Sequence, residues 1–566
     1  MSKFLKYTLI FLGLIANIQS FAQQSTLEEN PQSKSNELED KTVIITIDKV
    51  NKLPQAFRTI QKADISVNKE HFEPQNYDFV DYKLKVPDIE SKIRILGVKD
   101  ADKPLASNAL LKLGVGNYLA TYAEGFYTKT IKDNILLGAR ANHLSWAHGP
   151  STERKSGSSN NEIMLWSNMN FSKYNFNAFV NYQRFGMYYY GFREPVMGAS
   201  EKTLNDLKFR QIYNKTNITA QLLTNKSNTS DYKFTTDVAF QYLTAYSWPT
   251  ESEIYLKHAG DFSLDGGAKV MVKSDFSFSK RSYKELNQNR VFFTLAPSYF
   301  KILNGFETQA GINIGLENDT LLGAKSFHLY PVIKVVKKFK NDKLITDFGI
   351  DGGLQKNVLA NAITENPFLS NKVVLGHTNK NFDFFANLKG KLSNSFTFNL
   401  GASYSKYTNL PFYLNNPSQR NEFIIVYDTN GTGLTKLQAG IHYSKASLWG
   451  LGYKAEYNAY SMSKLQTAIH KPSYISTAYA NYNLHNKLIF TASWYTLAGI
   501  KTLEPVLNKV QKLPIINDVN LKIDYRLSDK FSSYLEFNNL LASKYSRFLY
   551  YPTRGFFVIL GVTYKL

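Results

Sequence analysis

Cysteine is absent from this chain, which excludes both a disulfide framework and a cysteine-anchored lipoprotein. Beyond the first 20 residues the chain also lacks any run approaching the roughly 20 consecutive apolar residues that a spanning helix needs. Mean hydropathy is negative, at −0.30, so a bundle of membrane-spanning helices is excluded too. Proline (17) and tryptophan (5) are scarce. What is abundant is Phe and Tyr, 39 and 37 residues, spread over short segments that alternate apolar and polar side chains. Such a chain reads as all-β.

The N-terminus addresses the chain for export. Lys3 and Lys6 precede an apolar core from Tyr7 to Ala16, and Ser20 and Ala22 stand at −3 and −1 of a cleavage site. Residues 1–22 are therefore expected to be a secretory signal peptide. The formal charge of +21 is not expected to serve nucleic acid in an exported protein. It suits anionic lipid head groups, acidic glycans, an acidic partner, or simply a solvated lumen and rim.

The last residues carry the clearest pattern. Phe556, Val558, Leu560, Val562, Tyr564 and Leu566 fall on one face of an extended strand; Phe557, Ile559, Gly561, Thr563 and Lys565 fall on the other. An uncovered edge strand of this kind invites aggregation, so it is expected to be paired on both sides. Val519, Leu521, Ile523, Tyr525 and Leu527 alternate with Asn520, Lys522, Asp524 and Arg526 in the same way. Apolar-out, polar-in alternation with aromatic residues near strand ends describes a transmembrane barrel. A charge at Leu521 or Ile523 is then expected to destabilise it, and Lys522→Glu on the lumen face to be tolerated.

Short polar turns at 170–175, 303–306, 339–343, 392–395, 444–447, 484–487 and 527–530 alternate with longer connections at 147–160, 188–204, 280–289, 355–378, 407–419, 461–470, 498–516 and 541–553. Strict alternation requires 421–443 to be one long strand. The count is then about 22 antiparallel strands over residues 109–566, even in number, with both ends in the periplasm. Ahead of them, residues 23–108 read as a short irregular periplasmic segment, acidic and disordered at first, with a brief strand candidate at 42–47.

The closing strands resemble those of TonB-dependent receptors: Asn538, Asn539, Leu540, Lys544 and Tyr545 precede a loop holding Pro552 and Gly555, and the final alternating strand follows. The opening stretch 111–146 is similar to a plugless Bacteroidetes subgroup of such barrels. The resemblance implies outer-membrane localisation and contact with outer-membrane lipids and lipopolysaccharide. It also marks Thr42, Val43, Ile44, Ile45 and Thr46 as similar to a vestigial TonB box. The family's plug, a globular domain of well over a hundred residues, does not fit in residues 23–108.

Catalytic and cofactor motifs do not occur: there is no G-x-S-x-G, H-E-x-x-H or Walker sequence, and His143 and His148 lack the further ligands a metal needs. An enzyme is not expected, nor any cofactor. Candidate contacts for a ligand or partner are Tyr188, Tyr189, Tyr190, Phe192 and Arg193, where a strand enters a long loop; an aromatic girdle at the outer interface with a loop stem explains them better. A 22-stranded lumen is too wide to stand open. It is filled by the N-terminal segment, by infolded loops or by another polypeptide. Two functions follow as expectations. One is a subunit or scaffold of an outer-membrane complex of proteins and lipoproteins that assembles or exports surface components. The other is TonB-linked or passive uptake of a glycan or metal chelate.

Overall fold

The computed structural model of the chain describes residues 108–566, apart from residue 133, 152–154, 192–209, 226–227, residue 247, 284–285, 320–325, 340–342, 419–420, residue 429, 446–447 and 505–507. The signal-peptide segment and the Thr42–Thr46 stretch lie outside the described residues.

The first half of the wall is β1 (Ala109–Gly116), β2 (Ala120–Ile131), β3 (Ile135–Trp146), β4 (Ser158–Asn170), β5 (Tyr174–Tyr188), β6 (Arg210–Thr224), β7 (Tyr232–Ala245), β8 (Thr250–Ser263), β9 (Lys269–Tyr283), β10 (Leu286–Leu303) and β11 (Phe306–Glu317). It continues with β12 (Phe327–Phe339), β13 (Leu344–Gln355), β14 (Thr378–Ser393) and β15 (Phe396–Thr408). A loop hairpin of β16 (Pro411–Asn415) and β17 (Phe423–Tyr427) interrupts it before β18 (Thr432–Lys445), β19 (Trp449–Ser461), β20 (Tyr474–Leu484) and β21 (Leu488–Ala498). A second hairpin, β22 (Lys501–Glu504) with β23 (Lys509–Lys512), precedes β24 (Ile516–Arg526) and β25 (Phe531–Asn538). A third, β26 (Ser546–Phe548) with β27 (Tyr551–Pro552), precedes the last strand, β28 (Phe557–Lys565). One short helix, α1 (Leu359–Glu365), lies in the loop between β13 and β14.

Apart from the three loop hairpins, every strand pairs antiparallel with its predecessor and successor, and β28 pairs with both β25 and β1. The sheet is a closed barrel of 22 strands, as the alternation predicts. Closure removes the edge that β28 would otherwise present. Short turns gather at one end, where the backbone of Leu566 bonds that of Ala109 (3.0 Å). Long loops gather at the other. Tyr127, Phe171, Tyr174, Tyr232, Phe306 and Phe339 stand exposed at the short-turn end, as an aromatic girdle does.

The barrel is inside-out relative to a soluble protein. Leu560, Val562 and Tyr564 face outward, while Asn520, Lys522 and Asp524 are packed inward. At the seam, Gly114 pairs with Gly561, and a Cβ at either position would run into the Tyr534 side chain. That ring lies beneath two cations, with the Lys112 and Lys522 ammonium groups 4.5 and 5.3 Å from its centroid.

Three local expectations are corrected. Residues 421–443 are not one strand: Gly431, at φ +99°, turns the chain, so that β17 joins the loop hairpin and only β18 enters the wall. Residues 280–289 are not a long connection, because β9 and β10 stay paired up to Tyr283 and Leu286. Lys522→Glu should not be tolerated: the ammonium bonds both oxygens of Asp524 (2.7 and 2.8 Å), and the residue stands opposite Glu536 in the register of β24 and β25. A glutamate there would crowd three carboxylates. The outward position beside it behaves as expected for lipid contact. Leu521→Lys should cost about 2–4 kcal/mol at the bilayer midplane, read as a lowered temperature of heat-modifiable gel migration; Leu521→Ile should leave it unchanged.

Candidate functional site

The long loops carry apolar residues out of step with any strand. Between β13 and β14, residues 356–377 include Val358, Leu359, Ile363, Phe368, Leu369, Val373 and Leu375, all buried. Left in water, each large side chain would forgo roughly 1.5–3 kcal/mol. They pack instead against Tyr189 and Tyr190 beyond β5, Tyr213 of β6, Trp248 before β8, Tyr413 and Phe423 of the β16–β17 hairpin, and Phe548 and Tyr551 between β25 and β28.

Tyr551 is the hub. Its ring stacks on Phe368 (centroids 3.7 Å apart, 24° between planes), meets Tyr190 edge-on at 5.0 Å, and lies 5.9 Å from Phe423. The Tyr190, Phe368 and Tyr551 loops leave the ring roughly a third of its circumference apart. A ring of 22 tilted strands is on the order of 40 Å across, so loops so placed meet only near its axis. They form a lid across the mouth.

Four phenols inside the lid are paired. The Tyr189 hydroxyl donates to the Leu369 carbonyl (2.8 Å), Tyr213 to that of Pro367 (2.8 Å), Tyr190 to that of Pro552 (3.0 Å), and Tyr551 to that of Asn421. Burial pushes the Tyr189, Tyr190 and Tyr551 phenols well above their usual range, so they are neutral donors. The backbone of Phe423 adds two bonds, to Phe368 (2.8 Å) and Ser370 (2.7 Å). Asn539 holds the base of the last loop by donating to the carbonyls of Ser543 and Arg554 (2.7 and 2.9 Å).

Beneath the apolar layer, wall charges grip the β13–β14 loop. Glu251 accepts from the first helical N–H, Leu359 (2.7 Å), capping α1 where its own N-cap, Val358, offers no side-chain bond. Lys356 pairs with Glu253 (2.6 Å), and Arg281 donates to the Val373 carbonyl (2.8 Å). Arg290 bonds the Asn357 carbonyl (2.6 Å) and forks onto Asp319 (2.5 to 3.1 Å). Glu317, Asp319 and His377 converge closely enough to hold a cation. The Arg290 guanidinium already sits on Asp319 and beside His377 (3.2 Å), and His328 bonds Glu317 (3.0 Å). The positive charge there is the arginine's, and the cluster serves to anchor the loop.

His470 clamps two loops. Leu549 N–H donates to Nε2 (3.1 Å), which leaves the proton on Nδ1 to donate to the Tyr413 carbonyl (2.6 Å). Burial pushes the imidazole down to about 3, and the nearby Arg547 and Lys471 add to the shift. Burial would raise the Asp428 carboxyl, but the N–H groups of Ser463, Lys464 and Leu465 (2.7, 2.7 and 3.3 Å) hold it below its usual value. Because His470 is neutral when folded, its contribution is complete above the ordinary histidine pKa of about 6.5. It declines as pH falls from there toward 3, and the Asp428 contribution is lost as pH falls below the ordinary aspartate pKa of about 3.9. The protection factor of the Leu549 amide, its exchange relative to an unstructured amide at the same pH, should therefore fall between pH 7 and 4. His470→Asn should show less protection at pH 7 and less change in protection over that range.

Of the residues singled out in the sequence, Tyr188 ends β5, Tyr189 and Tyr190 lie inside the lid, and Phe192 and Arg193 fall outside the described residues. His143 bonds Thr121 and Asn161, and His148 is in the β3–β4 loop. Phe368, Phe423, His470 and Arg290 were missed. For Phe368 the available signal was the number of large apolar residues scattered through 358–375 in a segment with no alternation.

A closed 22-strand barrel with a polar interior and long loops at one end is the fold of TonB-dependent outer-membrane receptors. The solved structures it resembles include the FrpB iron transporter from Neisseria meningitidis, at 11% identity and a TM-score of 0.63 over 82% of each chain. The ferric enterobactin receptor PfeA from Pseudomonas aeruginosa, solved with enterobactin, gives 9% and 0.59 over 81% of each chain. The siderophore receptor PirA from Acinetobacter baumannii gives 8% and 0.60 over 81% of this chain and 80% of that one. No family model and no curated protein matches the sequence. At these identities the likeness is one of fold.

Proposed function

We propose that this protein is a receptor-type outer-membrane barrel, closed by its own loops, that works as a subunit of a larger complex assembling or exporting surface components. The lid carries this reading. Tyr190, Phe368, Phe423 and Tyr551 occupy the centre of the mouth, with phenols and carbonyls already paired to one another. Long loops of bacterial barrels face outward and short turns face the periplasm, which sets the lid outside and Ala109 and Leu566 at the periplasmic end. The role is non-enzymatic, and the partners are outer-membrane proteins or lipoproteins. A mild-detergent pull-down of the tagged native chain should bring stoichiometric outer-membrane partners. Recovery alone, or only with a TonB-like energiser or a surface glycan-binding lipoprotein, would contradict it.

Uptake of a metal chelate or glycan is the second reading, favoured by the likeness to an iron transporter and to siderophore receptors. It predicts that deleting residues 23–50 abolishes growth on one nutrient source while the envelope stays intact.

A further inference from the structure

The outward wall holds one feature that neither reading uses. Across β12 to β15, Val335, Phe348, Ala386 and Ala402 align as one outward row. Ile333, Ile350, Phe384, Tyr404 and Thr435 align as the next row toward the loops. The paired alanines sink between large neighbours and leave an apolar hollow of about 600 Å³. That volume lies within the roughly 300–1,000 Å³ of ordinary small-ligand sites. Ile333, Phe348, Phe384 and Tyr404, each about half exposed, are its walls.

We propose that this hollow binds one phospholipid from the leaflet at the short-turn end, with an acyl chain between Phe348, Phe384 and Tyr404 and its phosphate at Lys337. The hollow opens onto the hydrocarbon band, where acyl chains are the surrounding medium and an unfilled depression forfeits dispersion contacts. The polar end is set by the adjoining outward row, in which Lys337 aligns with Thr346 and Leu388. Lys337 stands two residues beyond Val335, roughly 7 Å along the strand. Its ammonium lies 4.1 Å from the Phe306 ring centroid and 3.4 Å from the Asn304 carbonyl, both at the turn between β10 and β11. A cation held at the level of the aromatic girdle, below an acyl-sized hollow, matches a phosphate joined to a hydrocarbon chain.

The test is native mass spectrometry of the full chain purified in mild detergent, before and after adding phosphatidylglycerol. Wild type should retain one phospholipid mass per chain. Ala386→Leu with Ala402→Leu should lose it. Ala480→Leu with Ala492→Leu, an outward cross-strand pair beside Leu521, should keep it. Lys337→Gln should lower retention several-fold while migrating as a folded barrel, so the site stays testable if the filled variant misfolds. Equal retention in wild type, the filled pair and Lys337→Gln would overturn the proposal. So would a retained mass corresponding to lipid A.

Discussion

Replacing Tyr551 with alanine should unfasten the lid while leaving the barrel intact. The ring is almost wholly buried and contacts Phe368, Tyr190 and Phe423. Truncating a buried aromatic costs about 3–5 kcal/mol, and losing the hydroxyl also leaves the Asn421 carbonyl without that donor. The 22-strand hydrogen-bonded ring does not pass through the lid, so heat-modifiable migration should persist. The loops should become cleavable by protease near 366–371 and 547–554. Phe368→Ala should act on the same unit, making the double variant less than additive. Unchanged protease resistance in both single variants would show that the aromatic cluster does not hold the lid.

The second large effect is expected at Arg290, one of the largest fully buried side chains. Its guanidinium joins Asp319 on one loop, the Asn357 carbonyl on another, and His377. Removing one partner of a buried ion pair leaves an uncompensated charge and costs about 3–5 kcal/mol. Arg290→Ala should therefore release the β13–β14 loop, with faster amide exchange across 356–366. Arg290→Lys should rescue little, since one ammonium cannot fork onto a carboxylate and reach a carbonyl as well. Adding Asp319→Asn to Arg290→Ala should recover part of the loss by removing the stranded charge. If that double variant exchanges as fast as Arg290→Ala alone, the pair is not what anchors the loop.

The wall was legible because strand periodicity is local: Val519 to Leu527 show the alternation without any knowledge of their neighbours. The turns at 303–306 and 527–530 were legible for the same reason. The break within 421–443 was not, because the apolar run Phe423–Val426 continues a strand pattern until Gly431 turns it. What makes that run a loop hairpin is its partner, Pro411–Asn415. The lid was hidden for a stronger reason. Tyr190 and Tyr551 meet at 5.0 Å although hundreds of residues separate them, and only the closed ring brings their loops together. Aromatic residues near a strand end read as a girdle or as a contact surface, and Tyr189 and Tyr190 are found inside a core built from loops. Lys522 shows a related limit: alternation places it inside, but it does not reveal that Glu536 of β25 stands opposite it, beside Asp524 of its own strand.

Single-channel recording in planar bilayers tests the closed mouth most directly. The wild-type full chain should insert and remain electrically silent, and Phe368→Ala with Tyr551→Ala should give large, fluctuating conductance. Steady large conductance from wild type would contradict closure by the loops. Silence from the double variant would move the seal from the lid to another part of the chain.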